Sequence, residues 1–147
     1  MFSKVFAFFA IVAFLVGFAG TGIAGINGNP DAVVGTWLVG EKDAKVEIFK
    51  CGNKYCGKII WTSEKRTDKF NPDTKLRTRD VVGVQLMNNF AYDSKNNEWS
   101  GGSLYNTRDG KTYSGYMQLN ANGTLFLKGY VLGIRWLGKS DTWTRVK

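Results

Sequence analysis

The chain has no histidine. Ser-His and Cys-His nucleophile pairs and every His-ligated metal site are therefore excluded within it. It has only two cysteines, too few for a thiolate metal site of their own. It has two prolines, and nowhere do apolar residues recur at helical spacing over a dozen positions, so a helical domain is excluded. There is no phosphate-binding glycine loop, no Gly-x-Ser-x-Gly nucleophile turn and no dinucleotide fingerprint. Acidic residues are in the minority, 12 against 20 basic, and the resulting +8 favours anionic neighbours without choosing among them. What the chain does have is glycine (18 of 147 residues) and 14% aromatic side chains, enough for one domain and no more.

The N-terminus reads as an export signal. Lys4 is a minimal basic region, Val5 to Phe18 is an unbroken apolar run, and small residues follow at Ala19, Gly20, Gly22 and Ala24. Gly22 and Ala24 fit the small-x-small cleavage pattern, so residues 1–24 are assigned to the signal peptide and 25–34 to an N-terminal extension. No basic stop-transfer cluster follows, and no stable membrane span is expected after cleavage. The expected location is the periplasm or the exterior. In such a compartment Cys51 and Cys56, on the two shoulders of a hairpin around Gly52-Asn53, should pair as a structural staple.

From Gly35 to Lys147 the sequence reads as short strands and turns. Lys45-Val46-Glu47-Ile48-Phe49 alternates, with Val46 and Ile48 inward. Ile59 and Trp61 continue an inward face, and residues 63–79 form one long polar loop. Further strands are expected at Val82 to Leu86, Trp99 to Tyr105, Tyr113 to Leu119, Leu125 to Val131 and about Asp141 to Val146. Asp109-Gly110 and Asn122-Gly123 mark hairpin turns. This pattern predicts an all-β, up-and-down antiparallel barrel of about eight or nine strands, because closure removes the exposed edges. Lys45, Glu47, Lys58 and Lys128 on the outward face exclude an outer-membrane barrel.

Gly35-x-Trp37, Cys51-Gly52…Cys56-Gly57-x-Ile59-x-Trp61, Asn71-Pro72…Leu76-Arg77-x-Arg79, Trp99-x-Gly101-Gly102…Tyr105, Asp109-Gly110-Lys111-Thr112-Tyr113, Gly129-Tyr130 and Trp143-Thr144-Arg145 together resemble the bacterial "domain of unknown function 2147" family. The resemblance covers the barrel region and implies an exported, lipocalin-like barrel, with no established reaction. Gly35-x-Trp37 and Trp143-x-Arg145 also resemble the lipocalin pairing in which a Trp closes the barrel floor beneath an Arg, a cation–π cap.

Alternation places Trp61, Tyr105, Tyr113 and Trp136 on inward faces, together with Gly101, Gly115 and Gly129. Large rings beside glycines build either an aromatic-walled pocket or a tapered solid core. Arg77 and Arg79 follow the long loop, where they would meet an anionic headgroup at the barrel mouth or pair with Asp73 or Asp80. The expected function is a non-enzymatic binding barrel for a small apolar, amphipathic or lipid-like ligand, with Trp61, Arg77, Arg79, Tyr105, Tyr113 and Trp136 as its contacts. No catalytic residue, cofactor, metal or nucleic-acid partner is expected. Two alternatives remain: a solid-cored envelope protein whose basic surface meets an anionic envelope component, and a weak hydrolase using two of Asp68, Asp73, Asp80, Glu98, Asp109 and Asp141.

Overall fold

The computed structural model describes residues 28–147; the expected signal peptide lies outside the described residues. Eight antiparallel strands run β1 Gly35–Leu38, β2 Ala44–Cys51, β3 Lys54–Thr62, β4 Gln85–Asp93, β5 Glu98–Asn106, β6 Lys111–Leu119, β7 Leu125–Val131 and β8 Ile134–Arg145. They pair in sequence order and close into a barrel. Val46 and Ile48 are buried, so the alternation of β2 sets its register as the sequence predicts.

One end of the barrel is sealed. A one-turn 3-10 helix, Pro30–Val33, lies across it and buries Val33 completely. The indole N–H of Trp37 donates to the Val33 carbonyl at 2.9 Å, and that of Trp99 donates to Pro30 at 2.9 Å. The Tyr55 hydroxyl donates to Asp31. Burial and that carboxylate push the Tyr55 phenol up to about 12. Arg145 lies over the Trp37 ring, 4.3 Å from its centroid, and donates to the carbonyls of Ala32 and Val34. The guanidinium thus satisfies backbone oxygens of the plug that water would otherwise have to reach. Cys51 and Cys56 are bonded at this same end, with Cα atoms 5.9 Å apart.

The interior beside the plug is solid. Phe90 and Met87 fill it, and glycines make room for them. A methyl group on Gly102 would sit 2.4 Å from Phe90, one on Gly57 2.7 Å from Met87, and one on Gly115 2.6 Å from Leu104.

Four sequence expectations are corrected. Trp61 faces outward and is 41% exposed. Lys45 is opposite Trp61 and Val46 opposite Ile59, so Ile60 is an extra residue that reverses the alternation. The Lys45 ammonium lies 5.1 Å above the exposed indole. Gly101 is exposed at φ +73°, because a second bulge between Trp99 and Gly102 turns Gly102 inward in its place. β4 starts at Gln85, with Val82 in the preceding loop, and the buried residue is Met87. β8 starts at Ile134, seven residues before the expected Asp141.

The barrel seam is uneven. β1 has four residues and pairs with β8 only through Trp37–Arg145 and Leu38–Thr144. Residues 134–143 of β8 pair with β7 alone among the described strands.

Candidate functional site

The end opposite the plug holds a cavity of about 810 Å³. Its floor is Trp143, almost fully buried, and its apolar wall is formed by Leu86, Leu104, Leu127, Val131 and Leu137. Leu104 and Leu127 reach it because their strands alternate inward over the solid half. Gly129 leaves the wall thin: a methyl group there would still stand 3.6 Å from both Leu104 and Tyr113. The volume lies within the range of small-molecule sites.

Polar groups cluster along one side. On β8, Lys139 and Asp141 stand opposite Gly129 and Leu127 of β7 and line the cavity together with Gly138 and Ser140. Asp141 is held from below and from the side. The Trp143 indole donates to its Oδ2 at 2.7 Å, and the Gly40 amide donates to the same oxygen at 3.1 Å. A side chain at Gly40 would collide with that carboxylate. At the turn between β5 and β6, Asp109 accepts from the Tyr113 hydroxyl, which holds the phenol above its usual range.

Trp136 stands at the rim, 78% exposed, because the β7–β8 register shifts there. Tyr130 pairs with Gly138 but Val131 pairs with Ile134, so Arg135, Trp136 and Leu137 loop out. Arg135 turns to the outer face, 4.1 Å over the Tyr116 ring, and grips buried Glu98 with two bonds of 3.0 and 2.6 Å. Glu98 is thereby committed to anchoring the loop that carries Trp136.

Of the residues expected from the sequence, Tyr113 and Trp136 come together at this cavity. Tyr105 borders it, but the Gly101 bulge makes neighbouring Leu104 the inward residue, and the Tyr105 hydroxyl is taken up by Asp68. Trp61, Arg77 and Arg79 are outside its lining. Arg77 donates through Nε to the Asn71 carbonyl at 2.8 Å. Arg79 binds Asp68 rather than Asp73 or Asp80, with Nε at 2.9 Å and a terminal nitrogen at 2.8 Å. Asp68 is fully buried and also accepts from Asn71 at 2.8 Å and from the Tyr105 hydroxyl at 2.6 Å. Burial by itself would raise the Asp68 pKa, but these donors overcome it and hold the carboxyl below its usual range. Burial, then the neighbouring carboxylate, pushes Tyr105 up to about 12. Sequence reasoning missed Leu137 and Lys139. The signal was present in Lys139-x-Asp141-x-Trp143, an alternation hidden because its outward partners are no more polar than its inward ones.

Residues 35–145 match the family model described as "Uncharacterized protein conserved in bacteria (DUF2147)". The chain belongs to this family. Among solved structures it is similar to a protein from Helicobacter pylori, described as "Protein HP1028 from the human pathogen Helicobacter pylori belongs to the lipocalin family". The two share 30% identity and a TM-score of 0.70, over 78% of this chain and 82% of that one. No curated protein matches the chain. This DUF2147 member is thus a lipocalin-like barrel, plugged at one end and hollow at the other.

Proposed function

We propose that the protein is an exported, non-enzymatic carrier of one small amphipathic molecule, held in the hollow half of the barrel. The observation that carries this reading is the cavity of about 810 Å³, apolar at the floor and polar along one wall. An acyl or polyprenyl-like tail fits against Leu104, Leu127 and Trp143. A polar end fits beside Tyr113 and Lys139. The lipocalin-like fold supports a binding barrel, and the bonded cysteines accord with an oxidising compartment.

The cavity favours this over a solid-cored envelope protein. A carboxylate hydrolase is disfavoured because Asp109 and Asp141, which both line the cavity, are engaged by Tyr113 and by Trp143 and Gly40. The test is mass spectrometry of organic extracts of the purified protein, with titration of Trp fluorescence by fatty acids. A saturable change that disappears in Leu127→Trp, which fills the cavity, is expected. No extracted amphiphile and no saturable change would overturn the reading.

A further inference from the structure

Beside the barrel mouth lies a second pocket of about 410 Å³, lined by Lys65, Arg66, Lys69 and Arg108 with Thr67, Thr107 and Phe70. Four of its seven lining residues are cationic, and none is a carboxylate. The Arg108 guanidinium is already paired with Asp43 and Glu41 of the β1–β2 turn. Lys65, Arg66 and Lys69 make no ion pair among the described residues. Three cations without an ion-pair partner around one concavity repel one another, and an anion bound there would relieve that repulsion.

The pocket is built on a fixed scaffold. The long loop doubles back on itself through the Thr67–Asp80 bridge and two backbone hydrogen bonds, in which the Asp68 N–H donates to the Arg79 carbonyl and the Val81 N–H to the Arg66 carbonyl. Buried Asp68 ties that loop to Tyr105 of β5. Gly110 of the β5–β6 turn, at φ +72°, packs so tightly on Phe70 that a Cβ there would overlap the Phe70 carbonyl oxygen. Such fixation limits the ordering cost of binding.

We infer that this pocket is an anion site for a phosphate group, either a free phosphomonoester or a phospholipid headgroup. Lysine and arginine donors with two threonine hydroxyls match the several acceptor oxygens of such a group. Phe70, half-exposed, offers an apolar wall to whatever carries the phosphate. The site is separate from the hollow of the barrel and does not depend on what that hollow holds.

The experiment uses calorimetric titration of the purified full chain with inorganic phosphate and with glycerol 3-phosphate at fixed ionic strength. Sedimentation with phosphatidylglycerol or phosphatidylcholine vesicles runs alongside. The variant Lys65→Gln/Arg66→Gln/Lys69→Gln is compared with Lys54→Gln/Lys95→Gln/Lys128→Gln, which removes the same charge elsewhere. At least tenfold weaker binding in the pocket variant, with the control near wild type, is the expected result. Heat with glycerol 3-phosphate identifies a free solute, and retention on phosphatidylglycerol vesicles alone identifies a headgroup. Equal loss in both variants, or no binding to any of these probes, overturns the inference. Arg66→Gln alone serves if the triple variant fails to fold. Unchanged fatty-acid fluorescence titration in the pocket variant separates this site from the barrel cavity.

Discussion

Replacing Gly102 by alanine puts a methyl carbon 2.4 Å from Cδ2 of Phe90 and 2.6 Å from two further ring atoms. Relaxed carbon contacts lie near roughly 3.5–4.0 Å, so the overlap exceeds about 1 Å. Phe90 is completely buried, and its far side is shut in: a Cβ on Gly115 would already be 3.1 Å from the ring's Cζ. The ring cannot swing away without moving Leu104 or the β5–β6 backbone. Overpacking of this kind costs about 1–3 kcal/mol. For a domain near this size that is a melting-temperature loss of roughly 3–5 °C per kcal/mol. Thermal and urea unfolding of Gly102→Ala, Phe90→Leu and the double variant form the assay. Phe90→Leu loses packing of its own, but it removes the overlapping ring atoms, so the double variant should be less destabilised than the two single costs added together. Strict additivity, or a neutral Gly102→Ala, would refute the claim that the glycine exists to admit the ring. Gly101→Ala is the internal contrast, since nothing lies within 4 Å of its Cβ position and any cost there comes from φ +73°.

Asp68 is held below its ordinary carboxyl range, so the stability it contributes is present above the unfolded pKa of roughly 3.9 and is lost as pH falls through the lower folded value. Asp68→Asn should flatten that acid limb in pH-dependent unfolding. Tyr105, raised to about 12, contributes stability below its unfolded pKa and loses it as pH climbs toward that value. Spectrophotometric titration should lose one late-ionising phenol in Tyr105→Phe, with Tyr55 supplying another. Cys51→Ser/Cys56→Ser should unfold at about 1–3 kcal/mol lower stability yet keep the barrel and its fluorescence titrations. Two reactive thiols in unfolded, unreduced wild type would contradict the bond. Arg135→Gln leaves buried Glu98, among the described residues, with only a weak Gln118 side-chain contact at 3.5 Å and should cost about 1–3 kcal/mol. It should also weaken the fatty-acid titration, because Trp136 loses its anchor; an unchanged affinity would detach that loop from binding.

The barrel was legible because β2, β6 and β7 each keep alternation over most of their length, and glycine turns mark the hairpins. Alternation fails wherever one residue is inserted. Ile60 and the Gly101 bulge each reverse the face of everything beyond them, and no side-chain pattern announces a bulge except the paired glycines 101–102. The first half of β8 was invisible for a different reason. Residues 135–142 are exposed on both faces, so neither face selects apolar residues. The arginines of the long loop could be recognised as paired, but not with Asp68. That partner lies eleven residues from Arg79, and only the folding back of the loop brings the two together.

The uneven seam makes the barrel a zipper fastened at one end. With only Thr144 and Arg145 of β8 paired with β1, residues 134–143 are held on their β7 side alone, so the β1 side of the wall can part without disturbing the plug beneath. Partial opening of this kind costs far less than global unfolding. Amide exchange should therefore be slow around Trp37, Trp99 and Phe90, while along residues 138–142 it alternates between slow amides aimed at β7 and fast ones aimed at the unpaired β1 side. If the hollow half carries a guest as proposed, this unpaired seam is a side door through the wall, and opening it would leave the closed end in shape.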